Sequence, residues 1–326
     1  MSGAKLYLQN QHRWHIFEAI PWVLAVGAFF VLPDYMAFGT QILITIIFAI
    51  SLDLILGYAG IVTLGHAAYF GIGAYTAGML SAHLGWNEPI SGLLVSAGAA
   101  AAVGFGFGCV LLRYRGLTLI MLTLVTAVFL YELANANEAI TGGFDGLVGI
   151  RISPLLGVYE NDLWGHTYYW YSLTVLVLIF LIARAIINSP FGHSLVGIRE
   201  NVQRMRAIGT PVHNRLVRAY AISAAMAGVA GALFAQSNAY VTLDVLSFSR
   251  SGTILIILVL GGTGRLYGAF VGALVYMIVE DELAKLSPEF WEFGIGLVLV
   301  LTVLFARRGL LGVLEQGVRT LGRSRS

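Results

Sequence analysis

Two ionisable side chains, Asp53 and His66, lie inside long apolar runs of this sequence. A charge-bearing group at membrane depth is costly and therefore marks a place where chemistry or transport happens. Asp53 stands near the end of the run Tyr35–Leu56. Its carboxyl could carry a proton for coupled transport, or it could cap backbone at the Gly57 break just beyond it. His66 lies in the glycine-interrupted stretch from Gly57 to Tyr75, together with Gly60, Tyr69 and Gly71. Its ring could meet a solute or hydrogen-bond inside a packed bundle. A second break, Gly261-Gly-Thr-Gly-Arg-Leu-Tyr-Gly268, falls in the other half of the chain and supplies Gly261, Gly262 and Gly264. Paired breaks in two halves are the pattern of inverted repeats with a solute pathway between them.

Enzyme chemistry has no visible foothold. No G-x-x-x-x-G-K-[ST] occurs, so the chain has no P-loop for ATP. The seven histidines lack H-E-x-x-H or any other metal-ligand spacing, and no nucleophile–base pair can be picked out. The sequence therefore predicts no catalytic residue, no metal and no cofactor. The single cysteine, Cys109, excludes an intrachain disulfide.

The best amphipathic segment runs from Ser194 to Ile208. Apolar residues fall at Leu195, Ile198, Val202 and Met205, in steps of three and four, which predicts one helical stripe. Arg199, Glu200, Asn201, Gln203, Arg204 and Arg206 occupy the other faces, with Glu200 and Arg204 spaced as an i,i+4 ion pair. Gly209 and then Pro211 stop it. Two uses fit this helix: lying on the inner leaflet, arginines toward anionic lipid, or docking in a groove of a cytoplasmic partner.

The elements that must position these residues are membrane spans. Of 326 residues, 58% are hydrophobic and only 11% charged, with a mean hydropathy of +0.82. Soluble domains carry about 25% charged residues, so a soluble enzyme is excluded. The net charge of +2 gives no footing for nucleic acid. Ten apolar runs between residues 19 and 305 predict an all-α polytopic membrane protein with about 8–10 transmembrane helices. The eighth and ninth, Ser251–Gly262 and Leu266–Val279, are short enough to form half-helices or a re-entrant pair.

Fifteen of the 19 Lys and Arg residues fall in four places. With ten crossings and a cytoplasmic N-terminus, all four lie on the cytoplasmic side, as the positive-inside rule requires. This divides the chain into a cytoplasmic segment 1–18, a transmembrane region 19–305 and a basic cytoplasmic tail 306–326. The transmembrane region holds an external loop at 134–167 and a cytoplasmic loop at 188–217. Small residues recur every four positions at Ala224, Gly228 and Ala232, and at Gly264, Gly268 and Gly272. Such faces pack helices within one chain or against a second, homologous subunit.

Several stretches together resemble the branched-chain amino acid ABC-importer permeases. They are Ser51-Leu-Asp-Leu-Ile-Leu-Gly-Tyr-Ala-Gly60 with Leu64–Tyr75, Thr141-Gly-Gly-Phe-Asp-Gly-Leu147, and Gly197-Ile-Arg-Glu-Asn201 leading to Arg206-Ala-Ile-Gly209. Ser223–Ala232, Gly261–Gly264 and Leu304–Leu310 complete the order. The long external loop resembles the M-type subunit more than the H-type. Met205, Arg206 and Arg307 depart from the residues common at those places.

The resemblance implies an ATPase-coupling role for Leu195, Ile198, Arg199, Glu200, Asn201, Val202, Met205 and Gly209. It further implies a second, LivH-like permease, two cytoplasmic ATPases (LivG- and LivF-like) and a periplasmic or lipid-anchored solute-binding protein. The expected setting is the bacterial inner membrane, with both termini cytoplasmic and Leu, Ile and Val as solutes. Urea, short amides or aromatic acids are alternatives within the family, and a stand-alone secondary transporter is a further one.

Overall fold

A computed structural model describes residues 16–155, 165–287, 289–305 and 309–312. The basic residues Lys5 and Arg13, the middle of the 134–167 loop and most of the 306–326 tail lie outside the described residues. The described chain is all-α apart from an isolated antiparallel bridge, Leu147 to Val241.

Each apolar run becomes a helix. We number them α1 Ile20–Val31, α2 Met36–Asp53, α3 Ala67–Leu84, α4 Pro89–Leu111, α5 Leu117–Ala136 and α6 His166–Ile187, followed by the loop helices α7 Pro190–Glu200 and α8 Val202–Ala207. Then come α9 Val212–Asn238, α10 Phe248–Gly261, α11 Leu266–Leu286 and α12 Trp291–Phe305. Five helical segments are long and apolar enough to cross a membrane: 33–58, α4, α5, α6 and α9. Helices α10 and α11 form a pair bent by 113° at the Gly262–Arg265 turn, a sixth span if counted as one. Helices α1 and α12 are short, and α3 completes its passage through non-helical chain. Among the described residues, length and composition thus support five spans, or six with the bent pair, against the 8–10 expected from the apolar runs.

Helix α9 is the centre of the bundle. It runs antiparallel to α4, and small residues bring the two backbones together. A Cβ on Gly104 would strike Ala224, and one on Gly228 would meet Ala100 and the Ser96 carbonyl. On another face, a Cβ on Gly231 would collide with the Phe70 carbonyl of α3. The stripe at Gly264, Gly268 and Gly272 closes the α10–α11 bend: Gly268 abuts Gly261 and Gly262, and Gly272 abuts Ile257. Ala224, Gly228 and Ala232 are all buried. Both small-residue stripes therefore pack inside this chain, and neither is free for a second subunit. Trp22, Phe180 and Phe270 join α1, α6 and α11 edge to face, with ring centroids 5.1–5.3 Å apart in the two Trp22 pairs.

Two spans are discontinuous, in opposite senses. In the first, α2 ends in a π-helical turn, Leu54–Tyr58, and residues 59–66 cross back without helix before α3 begins. In the second, residues 239–247 enter from the far end without α-helix, and α10 then completes the passage. The two meet where the Ala67 N–H donates to Ser251 Oγ at 3.0 Å. Irregular backbone inside a bundle must find internal partners. Ile61 N–H bonds the Ile55 carbonyl at 2.8 Å, and Gly65 N–H bonds Thr63 Oγ1 at 3.2 Å.

Candidate functional site: the junction of the broken spans and the loop helices

The segment predicted as one helix from Ser194 to Ile208 is two. Ser189 caps α7, its Oγ accepting the Gly192 N–H at 3.3 Å, with Pro190 at the first helical position. The helix stops at Asn201, whose backbone is extended (φ −154°, ψ 101°). Its side chain accepts the Arg204 N–H at 2.9 Å and so caps α8. Asn offers backbone an alternative partner and favours caps over helix interiors; here that preference overrides the apolar periodicity. The break also removes the i,i+4 register expected for Glu200 and Arg204. Helix α8 folds against α7 with Met205 over Gly197, where a Cβ would meet Sδ at 2.8 Å.

The predicted stripe does not form one outward face. Leu195 is 0% exposed and Ile198 2%, both sealed against the chain's own spans. Val202 is half-buried and shares a cleft of about 210 Å³ with Ile198, Gly60, Ile61 and Arg115. Glu200, Asn201, Arg204, Arg206 and Gly209 are exposed, as is Ile208 at 70%. The loop is rooted by its apolar residues and presents mostly polar ones.

Below α7 lies the first cluster of glycine-break residues. Asp53 Oδ1 accepts the Gly264 N–H at 2.7 Å, tying α2 to the α10–α11 turn across 211 positions of sequence. Gly57 sits between them, and a Cβ there would strike both Asp53 Oδ1 and the Gly264 backbone. The Arg199 guanidinium donates to the Gly57 carbonyl. Gly60 adopts φ +72°, and the Arg199 side chain occupies the space its Cβ would need. Gly261 and Gly262 line the same turn, with Gly309 against Gly262. Asp53, Gly57, Gly60, Arg199 and Gly264 thus form one junction.

His66, Tyr69 and Gly71 form a second, deeper group. His66 Nε2 lies 2.8 Å from Ser51 Oγ, and the ring stacks on Phe48 at 5.5 Å and 7°. Ser223 Oγ donates to the Ser51 carbonyl at 2.5 Å, and Tyr69 OH donates to Tyr220 OH at 3.2 Å. Gly71 makes room for Leu246 of the second broken span.

One residue was not singled out from the sequence. Arg250, in the first turn of α10, stacks over Phe70 (5.3 Å) and Phe234 (4.9 Å) and pairs with Asp244 at 2.9 Å. It sits about one turn inside the far end of α9. The available signal was an arginine outside the four basic clusters, three residues after a capping serine, Ser247.

A bundle with two oppositely broken spans and a rooted, polar loop at one end has the form of a transport permease. The family described as "Branched-chain amino acid transport system / permease component" matches residues 34–303, and the chain belongs to it. It is 30% identical over 315 residues to "High-affinity branched-chain amino acid transport system permease protein LivM" of Escherichia coli, covering 89% of this chain and 73% of the relative. A probable LivM of Methanocaldococcus jannaschii is 28% identical over 72% of this chain and 76% of the relative. LivH of Salmonella typhimurium is 26% identical over 81% and 90%. No solved structure matches the chain. The chain is a multi-pass membrane protein and a permease subunit of the ABC-importer class.

Proposed function

We propose that this chain is the M-type permease of an importer in the bacterial inner membrane, moving Leu, Ile and Val. Its partners are a LivH-like permease, two cytoplasmic ATPases and a solute-binding protein, and ATP chemistry belongs to the ATPases. The observation that carries this reading is the likeness to LivM across 89% of the chain. The junction supports it, because Arg199 of the loop helices bonds the first break and Asp53 joins that break to the second. Arg113, Arg115, Arg184, Arg199, Arg204, Arg206, Arg215 and Arg218 belong to the loops and helix ends at the α7–α8 end of the bundle, and the positive-inside rule supports reading that end as cytoplasmic.

The exposed residues Glu200, Asn201, Arg204, Arg206, Ile208 and Gly209 face the ATPases, while Leu195 and Ile198 anchor the loop. The glycine breaks and His66, Tyr69 and Gly71 belong to the moving part of the pathway. Reconstitution tests the assignment: the assembled complex in proteoliposomes accumulates leucine only with ATP and binding protein. Accumulation by this chain alone, driven by a proton gradient, would contradict it.

A further inference from the structure

The junction connects three elements far apart in sequence through named atoms. Arg199, at the end of α7, donates to the Gly57 carbonyl of the π-helical turn. Asp53, one residue before that turn, accepts the Gly264 N–H from the α10–α11 bend at 2.7 Å. Between these bonds the Gly57 and Gly264 backbones touch: Gly57 has no room for a side chain, and Gly264 holds φ +75°, which a side chain would strain. The Arg199 stem fills the hollow over Gly60, whose φ of +72° directs the chain away toward α3. Each discontinuous span is thus gripped near its loop end, one directly by Arg199 and the other through Asp53.

We infer that Arg199 and Asp53 are positioning residues that make the two discontinuous spans move as one body with the coupling loop. This rests on the transport reading above. Displacement of α7 pulls the Gly57 carbonyl through Arg199, and the Asp53–Gly264 bond carries the displacement to α10. Arg199 is exposed in the isolated chain. A partner seated over the α7–α8 break therefore removes water from this bond and strengthens it, since a lower dielectric enlarges charge-assisted interactions. The link is firm when the ATPases engage and looser when the site is wet.

The test uses the full complex in proteoliposomes and reads three quantities: ATPase subunits retained, ATP hydrolysed, and leucine taken up per ATP. For Arg199→Gln, hydrolysis and uptake are both normalised to the ATPase subunits retained, so that lost docking is separated from lost coupling. Uptake per ATP falls about tenfold, the scale of losing a hydrogen bond to a charged donor. Arg199→Lys, which keeps the charge and one donor, restores part of it. Asp53→Ala uncouples in the same way, and the double variant is no worse than either single one, as residues in series behave.

Uptake per ATP unchanged in both Arg199 variants, or uptake and hydrolysis falling in proportion, would overturn the inference. Additive losses in the double variant would also overturn it. If the unsubstituted chain retains no ATPase, the transport reading itself fails, a result distinct from these.

Discussion

Leu195→Ala separates the root of the coupling loop from its docking surface. Leu195 is fully enclosed, and its neighbour on the stripe, Ile198, is 2% exposed. Truncation to Ala removes three carbons from a sealed site held between α7 and the spans. Buried Leu→Ala changes cost about 2–5 kcal/mol, the upper part applying where the surroundings cannot collapse. Here α7 is clamped at Ser189 and Asn201, which limits collapse, so about 3–4 kcal/mol is expected. Ile208→Ala, at a position 70% exposed, should cost under about 0.5 kcal/mol in the free chain. The assay is denaturant or thermal unfolding of the purified permease in detergent, with hydrogen exchange over residues 190–207. Leu195→Ala lowers stability and deprotects α7 before any partner is added; Ile208→Ala does neither, yet weakens ATPase retention. An unchanged α7 in Leu195→Ala, combined with lost ATPase binding, would refute the reasoning and turn Leu195 toward the partner.

Three further outcomes follow from the same packing. Gly228→Leu should block the α4–α9 approach at Ala100 and the Ser96 carbonyl, an overpacking cost of about 1–3 kcal/mol, read as lower yield and melting temperature of the purified chain. Asp53→Asn keeps an oxygen for the Gly264 N–H and should transport normally, whereas Asp53→Ala orphans that donor at about 1–3 kcal/mol and should fail in the uptake assay. Arg250→Gln removes the Asp244 pair and two cation–π contacts, each worth about 0.5–2 kcal/mol, and should lower uptake while leaving ATPase retention intact.

Much of the architecture was legible because membrane-length apolar runs have few alternatives. The glycine breaks were visible as breaks, but which break touches which was not: Asp53 and Gly264 are 211 residues apart, and no local pattern encodes such a pairing. The small-residue stripes announced close packing without naming the partner helix. Asn201 is a capping residue in mid-stripe, a local signal for a break that the periodicity of Leu195, Ile198, Val202 and Met205 masks. That periodicity reports which residues avoid water. It does not say whether the cover is a partner or the chain itself, and for Leu195 and Ile198 it is the chain. Arg250 carries little local signal, because the positive-inside rule weighs clusters of arginines and an isolated one says nothing about topology.

The most direct test of the central claim is a photocrosslinking residue placed at position 208 in the assembled complex. The exposed tip of the α7–α8 loop should crosslink to an ATPase subunit, and the crosslink should persist when transport is uncoupled by Arg199→Gln. Crosslinks to lipid alone would make the loop a membrane-surface element and contradict the account.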